Sequence, residues 1–277
     1  MNASGELSKG SRKRGRIWLA SIRGEMIRQR DQVAGSEFAH RWGRAIAIGL
    51  SALMAAAGIG VFVLALGTDR FPDFWYRDLD VLLDATRRLF AGESWYLPRQ
   101  LDGPYPTEFG DVLYPPVVAW FLAPWLVLPA WTFIAIPVAI LGWHIVDARP
   151  APWTWPLIAL GLTFPITLVH AGYANPTLWM GAFAALGLRL AWPGALILLK
   201  PSLVPFALIG IRTRGWWLCA AALGIASLPF LAETLIYPRV ALDAQGGGLL
   251  YSGLVIPFML VPVVAWLGRR RGTPAPQ

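Results

Sequence analysis

Charge is scarce in this chain, and one stretch gathers it. RDLDVLLDATRRLFAGESWY, Arg77–Tyr96, holds three aspartates and three arginines. A carboxylate takes a proton from an attacking hydroxyl only where its position and pKa suit the task. On a helical wheel at about 100° per residue, Phe74–Phe90 sets Trp75, Leu79, Leu82, Thr86, Leu89 and Phe90 on one side. Asp73, Arg77, Asp80, Asp84, Arg87 and Arg88 fall on the other. Asp73–Arg77, Arg77–Asp80 and Asp84–Arg88 have the spacing of helical ion pairs. Asp80 and Asp84 therefore read as a solvated, arginine-paired face and stand only as secondary carboxylate candidates. Asp78 differs, because it lies on the flank of the apolar stripe beside Ala85 and Leu89. Partial desolvation there raises a carboxyl pKa, which suits a general base. A boundary aspartate paired with an arginine, or capping a turn, would show the same pattern. Gly92 is the expected stop of this helix.

Other polar groups sit among apolar neighbours. Lys200, in GALILLKPSLVPF, is an ionisable residue at membrane depth and so a functional candidate. Pro201 should open the helix there and let the ammonium reach a cavity and an anionic group. A lysine snorkelling to the interface is the plain structural reading. His170 and Asn175, in VHAGYANPTLW, lie near a span boundary, where they line a site or cap helices. Arg239, Asp243 and Gln245, in YPRVALDAQGGGLLYSG, are expected on a second outer loop. His40 and His144 have no suggestive partner, and three scattered histidines make no metal-ligand spacing, so no metal is expected. The lone Cys219 excludes an intramolecular disulfide framework and a cysteine metal cluster. No GxxxxGK[ST], GxSxG or HExxH occurs, so chemistry driven directly by ATP or a cytoplasmic nucleotide sugar is not expected.

These residues must be positioned by membrane elements. Of the 277 residues, 56% are hydrophobic and 14% charged, and mean hydropathy is positive. A soluble domain carries nearer a quarter charged residues. The class is an integral membrane protein, all-α, a polytopic transmembrane helical bundle of about eight spans. The net charge of +8 does not point to nucleic acid, because the basic residues cluster beside apolar spans. Residues 1–44 form a basic cytoplasmic arm, in which RIWLASIRGEMIRQR could lie as a helix on anionic lipid. Residues 45–268 form the transmembrane domain, with 67–112 as its external loop, and 269–277 a basic cytoplasmic tail. The first span, Ala45–Leu66, runs outward. Further spans are expected at 114–129, 130–147, 153–171, 175–192, 193–211, 215–236 and 249–268. Both termini are then cytoplasmic in a multi-pass cell-membrane protein. Arg212, Arg214 and Arg269–Arg271 fall inside, whereas Arg149 and Arg189 fall outside. That count also puts His170 and Asn175 on the inner side, away from Asp78.

The order of features resembles the polytopic glycosyltransferases of the GT-C class, specifically glycosyltransferase family 87, mannosyltransferases that use polyprenyl-phosphate-mannose. DLDVLLDATRRLFAGESWY (Asp78–Tyr96) looks like that family's first outer loop. LYPPVVAWFLAPWLVLP (Leu113–Pro129) resembles the Tyr-Pro-Pro run opening its next span, here with Tyr114. GYANPTLWMGAFAALGL (Gly172–Leu188) is similar to its Gly-Gln-x-Asn region, with Tyr173-Ala174 in place of Gly-Gln. LLKPSLVPFALIGIRTRGWW (Leu198–Trp217) resembles its Lys-Pro segment. The resemblance implies Asp78 as catalytic base and a donor phosphate and sugar held by Lys200, Arg77, Asn175, Tyr114 and His170. It implies inverting transfer from a polyprenyl-phosphate sugar to a lipid or glycan acceptor on the outer face, with no cofactor or metal. The chain is shorter than typical members, which leaves room for a protein partner completing the bundle. The alternative is a non-catalytic membrane protein, either a polyprenyl-lipid carrier or a subunit of a larger transferase.

Overall fold

The computed structural model describes residues 42–64, 75–245 and 253–269. Residues 1–41 of the basic arm with His40, Asp73 and its pairing with Arg77, the three glycines from Gly246, and Arg270–Arg271 lie outside the described residues, whereas residues 42–44 belong to the first helix. The described chain is mostly helical. Its helices are α1 (Trp42–Leu64), α2 (Arg77–Phe90), α3 (Trp131–Ala148), α4 (Trp155–Thr163), α5 (Pro165–Gly172), α6 (Thr177–Leu190), α7 (Arg214–Ser227), α8 (Leu231–Asp243) and α9 (Ile256–Leu267). Shorter helical turns join them. Strands β1 (Tyr105–Pro106) and β2 (Ala244–Gln245) pair in parallel, with Tyr105 opposite Ala244.

Three helical runs are long and apolar enough to cross a membrane: α1, α3 and the 30-residue Arg214–Asp243 that contains α7 and α8. The pair α4–α5 passes the same test together but is bent by 49°. Pro165 accounts for the bend, since it donates no backbone hydrogen bond. The stretches expected at 175–192 and 249–268 are the shorter apolar helices α6 and α9. Those expected at 114–129 and 193–211 are strings of short turns: Val118–Leu122 with Ala123–Leu126, and Trp192–Leu199, Pro201–Leu203 and Val204–Ala207. Prolines at 124, 193, 201 and 205 explain why neither is a continuous rod.

The chain passes between two ends of the molecule, one basic and one acidic. At the basic end, Pro150 bridges Arg269, and the Ala151 N–H donates to Gly268 O at 2.8 Å. Arg189 pairs with Asp147 at 2.6 Å and donates to His144 Nδ1 at 3.3 Å, and His144 Nε2 lies 3.0 Å from Pro262 O. Arg44 lines a cleft with Pro150 and Trp155. Arg149 and Arg189 therefore share an end with Arg269. This corrects the eight-span expectation that put them on the opposite face.

At the acidic end, the Tyr76 N–H donates to Gly172 O and the Asp78 N–H to Tyr173 O, both at 2.9 Å. Residues 172–175 thus meet α2, which corrects their expected place on the far side. Arg239 and Asp243 belong to α8, not to a loop, and pair with each other at 3.4 Å. The Tyr105 hydroxyl donates to Val240 O at 3.0 Å and ties α8 to β1. From Ala191 at the basic end, Trp192–Leu199 climbs to Lys200, and Pro201–Ile209 returns. Gly194 then touches the backbone of Ile209 so closely that no Cβ would fit. This hairpin carries Lys200 at its tip.

α2 follows its sequence pattern. Leu79, Leu82, Leu83, Ala85, Thr86 and Leu89 are buried, and Asp80, Asp84 and Arg87 are exposed. Each buried leucine contributes roughly 1.5–3 kcal/mol. Asp78 and Asp80 in the first turn and Arg87 and Arg88 in the last complement the helix dipole. Two details differ from the wheel. Trp75 and Phe90 are exposed, with the Phe90 ring 5.3 Å from that of Trp120. Asp84 pairs with Arg87 at 2.5 Å, not with Arg88, whose guanidinium reaches Trp95 O. Arg77 points away from Asp80 and onto Phe109.

Candidate functional site

Four of the sequence-selected residues converge, brought from four segments. Asn175 is the hub. Its Nδ2 donates to Asp78 Oδ2 at 2.6 Å. Its Oδ1 accepts from the Thr177 N–H at 2.9 Å and from the Thr177 hydroxyl at 2.6 Å. A backbone N–H can only donate, so the amide can face only this way. Lys200 Nζ donates to Thr177 Oγ1 at 2.6 Å and to Asn175 Oδ1 at 3.3 Å. The Tyr114 hydroxyl lies 3.4 Å from Asn175 Oδ1, and the Lys200 ammonium 5.4 Å from the centre of the Tyr114 ring. Asn175, Thr177 and Lys200 are all buried.

Local sequence explains each placement. Asn175-Pro176-Thr177 is an Asx turn opening α6, so the Asn side chain is held by its own local backbone. Ala174, just before it, is held at φ +54°, and Tyr76, just before α2, at φ +62°. Positive φ on a non-glycine residue costs energy and clusters at functional sites. Lys200 sits at φ −125°, ψ 84°, off the helix on either side. Pro201 clashes with a helical Lys200, and this break aims the side chain at Thr177.

Asp78, Tyr114, Asn175 and Lys200 line a cavity of about 490 Å³. Val81, Leu82, Leu113, Ala241 and Leu242 make it largely apolar, and Asp78, Tyr114, Asn175, Lys200, Ser202 and Tyr237 supply polar atoms. Glu108, Phe109, Gly110 and Asp111 form a further wall. Burial pushes the Asp78 carboxyl above its ordinary pKa, against the Asn175 hydrogen bond, Lys200 and Arg77, which each pull it down. A carboxylate of raised basicity and a buried ammonium in one largely apolar cavity can accept a proton from a hydroxyl and offset the charge of a nearby anionic group.

The remaining candidates lie elsewhere. Arg77 does not line the cavity; its guanidinium sits 3.8 Å from the centre of the Phe109 ring. His170 is buried behind the site, and its carbonyl accepts from the Asn175 N–H at 2.8 Å. Asp80 and Asp84 are on the exposed face of α2, outside the cavity. Sequence reasoning missed Thr177, Glu108, Phe109, Asp111, Ser202 and Tyr237. The Asn-Pro-Thr turn was a readable signal for Thr177; the others come from segments whose meeting no local pattern announces. Among the described residues, no three His, Cys, Asp or Glu side chains gather as metal ligands. Set beside known proteins, this chain matches no protein-family model, no curated protein and no solved structure.

Proposed function

We propose that this protein is a GT-C-like membrane glycosyltransferase. It moves a sugar, mannose by resemblance, from a polyprenyl-phosphate donor to an acceptor hydroxyl on the extracytoplasmic face of the cell membrane. One observation carries the reading: Asp78 and Lys200, 122 residues apart in the sequence, share one apolar-walled cavity and the same Asn175. The acceptor oxygen attacks the anomeric carbon while its proton passes to the Asp78 carboxylate. The carbon–oxygen bond to phosphate breaks on the opposite face, and polyprenyl phosphate leaves with the electron pair. The Lys200 ammonium offsets the charge that develops on the leaving phosphate. A phosphate leaving group needs no general acid, so a single carboxylate suffices, unlike the paired carboxylates of glycosidases. The apolar walls receive the prenyl chain.

In this reading the membrane is crossed six times. α1, α4–α5 and α7–α8 run outward, and α3, α6 and α9 run inward. Trp192–Ile209 is a re-entrant hairpin that enters from the inside and lifts Lys200 to the outer half. Both termini are cytoplasmic, and the arginines of the basic end obey the positive-inside rule.

The test is transfer of labelled sugar from a panel of polyprenyl-phosphate donors in membranes, comparing the parent chain with Asp78→Asn. Loss of general-base help is expected to slow transfer by roughly 10²–10⁴-fold. An Asp78→Asn variant as active as the parent removes the base assignment. A parent chain inert with every donor favours a non-catalytic lipid carrier or transferase subunit.

A further inference from the structure

The transfer chemistry leaves the basic end unused, and a second cavity lies there. It is a cleft of about 300 Å³ between α1 and the turn that opens α4. Arg44, Ala47 and Ser51 of α1 form one side, and Pro150, Pro152 and Trp155 form the other. The two helices touch deeper in the molecule, where Gly58 meets the Thr163 carbonyl and Thr163 Oγ1 lies 3.4 Å from Met54 O. Gly58 is about four helical turns, roughly 20 Å, along α1 from Arg44. Nearer the basic end the helices leave the cleft between them.

Arg44 sets the charge of this cleft. Arg189 is taken by Asp147 at 2.6 Å, and the Arg269 guanidinium lies 4.1 Å from the centre of the Trp266 ring. Arg44, by contrast, makes no hydrogen bond, ion pair or ring contact among the described residues. Asp147 is the acidic side chain at this end, and Arg189 already holds it. The sequence before α1 offers no counter-charge either, because residues 1–41 carry nine Lys or Arg against four Asp or Glu. A free guanidinium in a cleft calls for an anion, and its planar fork matches phosphate oxygens in pairs.

The walls select the rest of the ligand. Ala47 and the two prolines are apolar, and Ile48 lines the cleft while staying 69% exposed on the flank of α1. The cleft therefore opens sideways onto the apolar surface of a helix long enough to span a membrane. Trp153 and Trp155 are exposed beside it, as tryptophans are where headgroups meet acyl chains. A soluble anion would satisfy Arg44 and leave these walls wet. A phospholipid uses both, with its phosphate on Arg44 and the first methylenes of a chain over Ala47 and Ile48. A zwitterionic headgroup brings an ammonium that finds no free carboxylate here.

We propose that the α1–α4 cleft binds one anionic phospholipid, its phosphate held by Arg44 and its acyl chain leaving along Ile48. Basic pockets between membrane helices take anionic headgroups in this way. The site is independent of the transferase reading, since it needs only the bilayer and the cleft. In the test, the detergent-purified full chain is titrated with phosphatidylglycerol and, in parallel, with phosphatidylcholine. Bound lipids are counted by native mass spectrometry, and Tm is followed by thermal unfolding. The parent chain is expected to keep one phosphatidylglycerol and to rise in Tm with it, because a ligand of the folded state stabilises by mass action. Phosphatidylcholine does neither. Arg44→Gln weakens phosphatidylglycerol binding by about tenfold, the worth of one charge-assisted hydrogen bond. It leaves the lipid-free Tm unchanged, since Arg44 has no protein partner to lose. Ala47→Trp fills the cleft, keeps Arg44 and prevents binding. Arg212→Gln, at the same end but outside the cleft, keeps the parent affinity. Equal binding of the two lipids overturns the site, as does phosphatidylglycerol retained by Ala47→Trp. Equal losses in Arg44→Gln and Arg212→Gln overturn it by revealing diffuse surface charge. The same Tm rise with inorganic phosphate alone shows that no lipid is required and overturns it too.

Discussion

Asp78 is held between opposing influences, and their balance is testable. Burial raises its carboxyl, while Asn175, Lys200 and Arg77 lower it. In the transferase reading the base must be ionised, so transfer is expected to rise with pH through a pKa higher than that of an ordinary aspartate. Asn175→Ala removes the hydrogen bond that favours the carboxylate. The acid limb of kcat/KM against pH is then expected to move to still higher pH. A limb that stays put, or moves down, means that the titrating group is not Asp78. The same shift has a cost in stability. A carboxyl raised in the folded chain holds its proton more tightly than in the unfolded chain. Between the ordinary and the raised pKa, stability falls as pH rises. Asp78→Asn abolishes this dependence, so at neutral pH its Tm in detergent should equal or exceed the parent's while transfer is lost. A markedly lower Tm would show that the aspartate holds the fold together instead.

Among the elements, α1 meets the bent pair α4–α5 at one close approach. α1 runs alongside α4, with Arg44 and Ala47 near Trp155, and Thr163 Oγ1 lies 3.4 Å from Met54 O. Gly58 faces the Thr163 carbonyl with no space for a Cβ. Thr163 directly precedes the bend that returns the chain through α5 to Tyr173 and Asn175. Gly58→Val forces the helices apart, at a cost of about 1–3 kcal/mol. Its expected signature is a lower Tm, read by thermal unfolding in detergent, whereas Gly60→Val meets nothing within 4 Å and serves as control. Equal Tm values for the two variants would place α1 away from α4. α2 was legible in the sequence because its burial repeats with the helical period and needs no distant partner. Its ion pairs were less so. Phe109 claims Arg77, and Asp84 takes Arg87 three residues on rather than Arg88 four on.

For the whole molecule, topology is the decisive quantity. The six-crossing path puts Arg149 and Arg212 on one side and Glu108 on the other. An eight-span path separates Arg149 from Arg212. Single cysteines at these three positions, in a chain with Cys219→Ser, distinguish the two paths. A membrane-impermeant maleimide added to intact cells is expected to label Glu108→Cys alone. Labelling of Arg149→Cys from outside would restore the eight-span order.

The sequence by itself determined the membrane class, the helical character and the two-faced α2 with Asp78 at its border. Each is local, since composition fixes the solvent and the 3.6-residue period fixes a face. It also marked Lys200 and Asn175 as polar groups out of place. Hydropathy scored 114–129 and 193–211 as spans because it measures transfer from water, not the path of a chain broken by prolines. Only the tertiary structure decided that 193–211 turns back at Lys200, and that Asn175 meets a carboxylate 97 residues away. It also set an acidic loop with an exposed phenylalanine around the same cavity. Such meetings depend on which faces of distant elements pack together, and no stretch of sequence contains both partners.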